Sequence, residues 1–327
     1  MAQKVTISVD ALGGDNAPGV VLEGVAQALE QDIDLSVILC GPAEIVEPFA
    51  EKHDRCTARA TTEVISMAEH PANAVRKKKD SSIVVGCRLV KEGEAQGFFS
   101  AGSTGACLAA GTLVIGRIKG VSRPALATLV PSPKKPVILC DVGANADCKP
   151  EFLVQFAQMA STYAKVVLGI DNPRVGLLNI GEEEEKGSQF AQSAHQLLKS
   201  SLDNFDGNAE GRDVLDGPFD VIVCDGFTGN VCLKTIEGTA KTLFSELKGI
   251  MMASLKSKIG ALLIKGELKK LVSSIDPDAA GGAPLLGVKG ACIVGHGSSN
   301  ARAIKNGVLA AAEYVRSGVS ELIAQTV

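Results

Sequence analysis

Short runs of apolar, mostly β-branched residues recur along the chain. Most end in Gly or Asp and lead into a stretch with helical spacing. Six runs read as strands: 4–10 (KVTISVD), 35–41 (LSVILCG), 97–102 (GFFSAG), 136–143 (PVILCDVG), 174–181 (RVGLLNIG) and 219–226 (FDVIVCDG). Most are apolar at consecutive rather than alternate positions, the pattern of strands covered on both faces. Strand–helix alternation predicts βαβ units and a mainly parallel sheet in an α/β protein. Pro18 suits the first turn of a helix running to about Glu30, because its missing N–H is no loss there. "GSTGACLAAGTLVIGRI" repeats the design, a Gly-rich turn and then a helix. Residues 200–218 read as a polar, turn-rich loop.

Residues 241–272 differ in character. They hold seven Lys and two Glu, a local charge of +5. Phe244, Leu247, Met251, Leu255, Ile259, Leu262 and Leu263 follow a three-to-four spacing that makes one apolar face. Two readings follow: a helix or helix pair docked on the body or on another subunit, or a peripheral membrane contact. The pattern favours docking, and Gly249, Gly260 and Gly266 argue against a single rod.

Composition narrows the class. The 327 residues suit one large α/β domain or two joined ones. With 4% aromatic residues and no Trp, the core must be Val, Ile, Leu and Ala. A net charge of −4 gives no general attraction to nucleic acid. Nine Cys without a C-x-x-C pair read as reduced thiols in a cytoplasmic protein. No apolar run approaches the length of a membrane span, and the N-terminus enters a strand directly, so no signal peptide is expected.

In a doubly wound sheet, ligands bind beyond the carboxyl ends of the strands. The turns there are unusually polar: 10–18, 100–106, 141–150, 179–189, 206–213, 225–230 and 295–300. "SAGSTGA" offers backbone N–H groups and two hydroxyls at a helix start, either as an anion site or as a plain cap by Ser103 or Thr104. "GEEEEKG" reads as a solvated acidic helix start, in which Lys186 is electrostatically out of place and suited to an anionic ligand. His296 lies between glycines that permit close approach, though a surface His is common. Asn208, Glu210, Arg212 and Asp213 either organise a loop or form a lid.

Absent motifs narrow the chemistry. There is no G-x-G-x-x-G, no G-x-x-x-x-G-K-[ST] and no G-x-S-x-G. The four His (53, 70, 195, 296) lack metal-ligand spacing, so no metal is expected. Cys148, beside Lys149, is the one thiol in a plausibly electropositive loop. Residue physics reaches an α/β enzyme with an anion-binding cleft.

Together, "VDALGGDNAP", "SAGSTGA", "DVGANADCKPE", "GLLNIGEEEEKG", "NFDGNAEGRDV", "DVIVCDGFTGNVCLKTIEG" and "LLGVKGACIVGHGSSNARAI" resemble the bacterial phosphate acyltransferase family, from residue 5 to about 310. Leu12, where the family usually has Met, and Ser103, where it usually has Asn, are small departures. The resemblance implies a three-layer α/β/α fold akin to phosphotransacetylases and the isocitrate/isopropylmalate dehydrogenases. It implies a single catalytic domain over 1–327 with an amphipathic helical insertion around 241–272, and a homodimer. The implied reaction moves a fatty acyl group from acyl carrier protein to inorganic phosphate without a cofactor. Its acyl phosphate product passes to a membrane glycerol-3-phosphate acyltransferase in phospholipid synthesis.

The resemblance also implies peripheral membrane association, with Leu255, Ile259, Leu262 and Leu263 as contacts. Lys186, His296 and Asn230 are assigned to catalysis. Assigned to phosphate or substrate are Asp10, Gly13, Gly14, Asp15, Asn16, Ser100, Gly102, Ser103, Thr104 and Gly105, with Asn145, Asn179, Glu182, Asn208, Glu210, Asp225, Thr228 and Ser298. Asp10 and Asp15 are expected to position donors, with Asn16 the more direct contact. Two other classes compete: an oxidoreductase on the related dehydrogenase scaffold, and a non-catalytic scaffold that recruits acyl carrier protein at a membrane.

Overall fold

The structure is a computed structural model that describes residues 3–132, 135–274 and 277–327. Its eleven strands are β1 (Val5–Asp10), β2 (Leu35–Gly41), β3 (Cys56–Ala60), β4 (Gly97–Ser100), β5 (Ala125–Val130), β6 (Val137–Cys140), β7 (Val175–Leu178), β8 (Phe205–Ala209), β9 (Val221–Val223), β10 (Ala283–Leu286) and β11 (Ala291–Val294). They form one sheet in the order β3-β2-β1-β4-β11-β10-β5-β6-β9-β7-β8. Seven of its ten pairings are parallel, so the sheet is mainly parallel as the pattern predicts.

The continuous apolar runs have a direct cause. Neighbouring residues on a strand point to opposite faces, and both faces are covered. Val37, Leu39, Phe99, Ile138, Val221 and Val223 enter one core. Ile38, Cys40, Phe98, Leu139, Ile222 and Cys224 enter the other. The first core is roofed by helices Gly19–Gln31, Ala43–Ala50, Pro150–Val167, Gln189–Ser201, Ala301–Arg316 and Val319–Thr326. The second lies under helices Pro71–Lys77, Ser82–Glu92 and Thr104–Ala110 and a π-helical turn, Gly111–Ile115. This makes the α/β/α arrangement.

Three antiparallel pairings, β11 with β10, β10 with β5, and β5 with β6, lie in the middle. Three reversals turn β6, β9, β7 and β8 against the direction of β3, β2, β1, β4 and β11. The carboxyl ends of the two parallel groups therefore face opposite ends of the sheet. The seven polar turns divide into two sets rather than opening along one edge.

Residues 200–218 are not one loop. They contain β8 and a helical turn, Asp213–Asp216. β8 is an edge strand whose Asp206 faces water, and Gly207 adopts φ +103° at its centre, so the segment carries loop composition. The short acidic run at 182–185 precedes its helix, which starts at Gln189 behind the Ser188 cap, so those acids are not in a helical turn.

The segment around 241–272 is longer than the charge pattern indicates. A helix spans Gly226–Met252, about 40 Å at 1.5 Å per residue. Helices Leu255–Leu263 and Lys265–Ser274 follow, broken at Ser254, whose side chain caps the second helix. Phe244 and Met251 are half-buried within this arm, while Leu255, Ile259, Leu262 and Leu263 are 75%, 54%, 70% and 78% exposed. Among the described residues, no helix is long and apolar enough to cross a membrane.

Candidate active site

Three of the apolar strands reach an Asp at their end or within two residues of it: Asp10 closes β1, Asp141 follows β6 and Asp225 follows β9. Each accepts amides from the turn that follows, a local bond that fixes the chain reversal. Asp10 Oδ1 takes the Leu12 amide at 3.0 Å. Asp141 Oδ1 takes those of Leu126, Gly143 and Ala144, and its Oδ2 takes both the amide and the side-chain N–H of Asn145. Asp225 caps the Gly226–Met252 helix through the Thr228 amide and hydroxyl, at 2.8 and 2.7 Å. Asp141 is fully buried, and sequence reasoning missed it; the shared strand–Asp–turn pattern was the available signal.

The turns after β1, β4 and β11 meet at one point. A Cβ on Gly13 would lie 2.8 Å from the Gly102 nitrogen and 2.9 Å from that of Ala101, so only Gly allows this approach. Gly14, at φ +109°, lets the chain turn so that the Asp15 amide reaches the Gly297 carbonyl at 2.7 Å. The Ser100 hydroxyl donates to Asp10 Oδ2 at 2.7 Å and accepts the Gly102 amide at 3.0 Å. Burial raises the Asp10 carboxyl above its ordinary value, against hydrogen bonds from Ser82, Ser100 and Leu12. Asp10 thus positions the loop and lies too deep for a direct anion contact. Asp15 and Asn16 are exposed beside it.

Ser103 is the cap of the helix Thr104–Ala110, its hydroxyl accepting the Ala106 amide. Among the described residues the amides of Thr104 and Gly105 have no acceptor. A strap before Pro71–Lys77 lies against the same point. Pro71 touches Gly105 and the end of Met67 touches Gly297, contacts that no sequence signal announced.

His296 is exposed at this junction. Its Nδ1 lies 2.8 Å from the Ser298 hydroxyl and accepts the Ser298 amide at 3.2 Å. Its Nε2 lies 3.4 Å from Nζ of Lys234. Lys234 stands on the helix Gly226–Met252, which begins at the second set of turns, so this helix links the two sets.

The second set holds the remaining candidates. Asn230 sits against Gly143. The Asn145 amide is committed to Asp141 and the Pro124 carbonyl. Asn208 is buried, holding His195 Nδ1 at 2.9 Å and the Glu183 carbonyl at 2.8 Å. Asn179 holds the Lys186 carbonyl and the Ile180 amide. Glu182 and Glu210 both pair with Arg212. The Lys186 ammonium is exposed and has no ion pair among the described residues.

Cys148 is no activated thiol. Burial, with the charges of Asp141 and Asp225, pushes it up to about 11 despite a backbone hydrogen bond at Gly226 and the Arg123 charge. Among the described residues no three His, Cys, Asp or Glu are grouped to hold a metal.

The fold is shared with acyl-transferring enzymes of known structure. A phosphotransacetylase from Streptococcus pyogenes superposes with TM-score 0.64 at 18% identity, covering 95% of this chain and 94% of that one. A branched-chain phosphotransacylase from Enterococcus faecalis V583 gives 0.60 at 13% identity, covering 95% and 99%. These likenesses define the α/β class.

Sequence similarity defines the family. The profile described as "Fatty acid synthesis protein" matches residues 5–322. A phosphate acyltransferase from Desulfitobacterium hafniense (strain Y51) is 51% identical, over 97% of this chain and 96% of that protein. One from Clostridium novyi (strain NT) is 45% identical, over 97% of each. The chain belongs to the phosphate acyltransferase family of fatty acid synthesis proteins.

Proposed function

We propose that this protein moves a fatty acyl group from the thioester of acyl carrier protein to inorganic phosphate. A phosphate oxygen attacks the carbonyl carbon and the carbon–sulfur bond breaks. The carrier leaves as a thiolate that takes up one proton, and acyl phosphate remains. Phosphate is already nucleophilic at neutral pH, so the site has to hold it, polarise the carbonyl and protonate sulfur.

The observation that carries this reading is the junction of the turns after β1, β4 and β11. It gathers the turn that carries the amides of Thr104 and Gly105, which have no acceptor among the described residues, and the turn that carries His296. In this reading those amides, with Ser103 and Thr104, hold phosphate, and His296 protonates the leaving sulfur or binds phosphate. Asn16 and Ser298 border the same point. Lys186 and Asn230, with Asn179 and Asn208, serve from the second set of turns, Lys186 as a cation for phosphate or the tetrahedral oxyanion.

The acyl phosphate is consumed at a membrane, by a glycerol-3-phosphate acyltransferase. The exposed leucines and isoleucine of the arm, set among lysines, support peripheral attachment there, and a homodimer is part of the same reading.

The test is incubation with palmitoyl-acyl carrier protein with and without phosphate, following free thiol. Thiol release that needs phosphate is expected, and release indifferent to phosphate removes the reading. A folded Lys186→Ala variant with undiminished release would take Lys186 out of the reaction.

A further inference from the structure

The contact between Lys234 and His296 is a meeting of two donors. The Ser298 amide points its hydrogen at His296 Nδ1, 3.2 Å away, so that nitrogen carries the lone pair. A neutral imidazole then bears its proton on Nε2. The Lys234 ammonium, 3.4 Å from Nε2, has hydrogens and no lone pair. Two N–H donors therefore converge at the mouth of the candidate site with no acceptor between them. The Ser298 hydroxyl lies 2.8 Å from Nδ1 and can turn its hydrogen to the same nitrogen, whereas the Ser298 amide can only donate, so the amide decides the assignment.

The nearest carboxylate found for Lys234 is Glu237, one helical turn on, at 2.7 Å from Nζ. That pair is half-exposed and of the weak surface kind, so it does not hold the ammonium against a stronger acceptor. Glu237 has no contact with His296 among the described residues. An oxygen that accepts from both Nζ and Nε2 satisfies each donor and removes the repulsion between them.

We propose that Lys234 is a phosphate-binding residue of the acyltransferase site, gripping one phosphate oxygen jointly with the Nε2–H of His296. The inference rests on the phosphate-acceptor reading above. It adds to the site a cation that was not among the candidate residues of the turns. Lys234 also comes from the opposite half of the sheet: its helix starts at the carboxyl end of β9, while His296 follows β11. The phosphate site is then closed only when that helix lies in place across the sheet centre.

The test separates binding from turnover. Inorganic phosphate is titrated into the full-length protein and into Lys234→Met and Lys234→Arg, with the His296 imidazole nitrogens followed by NMR. In the free protein the proton is expected on Nε2, and phosphate shifts that signal. Loss of one charge-assisted hydrogen bond weakens phosphate binding about tenfold or more in Lys234→Met. Lys234→Arg retains part of the affinity. In turnover, Lys234→Met raises KM for phosphate by a similar factor and leaves KM for the acyl donor unchanged.

Equal phosphate affinity in wild type and Lys234→Met overturns the proposal, as does a proton on Nδ1 with Nε2 accepting from lysine. Phosphate binding that depends on Lys234, without phosphate-dependent thiol release, would instead sink the acyltransferase reading and leave the anion site standing.

Discussion

Ser100 and Asp10 form a two-residue relay: the Ser100 hydroxyl donates a hydrogen bond to Asp10 and accepts one from the Gly102 amide. Through it, a buried charge on β1 sets the turn after β4. Replacing Ser100 by Ala leaves a buried carboxylate oxygen and an amide without partners. The variant should lose about 1–3 kcal/mol in urea unfolding with an unchanged m-value. The pH dependence has a definite sign. Burial already raises the folded Asp10 value, so the folded state keeps this proton longer than the unfolded chain, and stability falls as pH rises through that window. Removing Ser100 raises the folded value further. The deficit should therefore be smaller near pH 4, where the cost of the lost Gly102 acceptor remains, and grow towards neutrality; a constant deficit would mean that Ser100 does not act through Asp10.

Gly13→Ala and Gly19→Ala separate close approach from ordinary helix propensity. A methyl on Gly13 meets backbone nitrogens at 2.8 and 2.9 Å, and these cannot move without shifting the 100–106 turn. Gly19 has nothing within 4 Å and begins a helix. Gly13→Ala should weaken phosphate use at least tenfold while still folding, on the scale of about 1–3 kcal/mol for overpacking. Gly19→Ala should be neutral or stabilising by up to about 1 kcal/mol, with activity unchanged. Equal activities in the two variants would show that the turns need no close contact.

The opposite sign of pH dependence belongs to Asp32, far from this junction. Its carboxyl meets Arg316 at 2.6 Å with both side chains largely buried. Partial burial opposes ionisation, yet the Arg316 bond, the Asp34 amide and the charges of Arg316 and Arg55 hold the group below its ordinary value. A lowered folded value contributes stability that is present above the unfolded value, about 3.9, and is lost as pH falls through the folded one. Asp32→Asn should cost about 1–3 kcal/mol at pH 7, since it leaves Arg316 partly unpaired. The difference from wild type should shrink as pH falls below the unfolded value and through the folded one. Calorimetry or urea titration across pH 2.5–7 measures it, and a gap that persists at the acid end would refute the ion-pair account.

β1, β2, β4, β6, β7 and β9 were readable because their apolar runs obey a rule that needs no tertiary information: both faces are buried, so most positions are apolar. β3 and β8 were hidden because edge strands tolerate Arg59, Asp206 and Asn208. β5, β10 and β11 were hidden because their short apolar runs adjoin Pro124, Pro284, Gly287, Gly290 and Gly295, residues that read as turns. The reversal of direction across β10, β5 and β6 has no local signature at all, and it is what divides the turns into two sets. The Gly-rich turns were visible as motifs, but their partners were not. Lys234 could have been noticed as one turn beyond Asn230 on the helix that follows a strand ending in Asp. Nothing in the sequence says that this helix crosses to His296.

The arm makes the last prediction. Leu255, Ile259, Leu262 and Leu263 expose apolar side chains on helices Leu255–Leu263 and its border, amid Lys256 and Lys258. Burying such side chains in a lipid interface yields about 1.5–3 kcal/mol each at full burial, and nearby lysines add about 1 kcal/mol each on anionic lipid. Wild type should float with vesicles containing anionic lipid and less with neutral ones. Leu255→Glu with Ile259→Glu should abolish flotation, because two carboxylates replace the apolar contact and face anionic headgroups. Both positions lie outside the junction at His296, so thiol release from a soluble donor should stay near the wild-type rate. Undiminished flotation of the double variant would return the arm to the docking reading. Loss of soluble activity together with a change in oligomeric state would do the same, since it would show that these side chains meet protein rather than lipid.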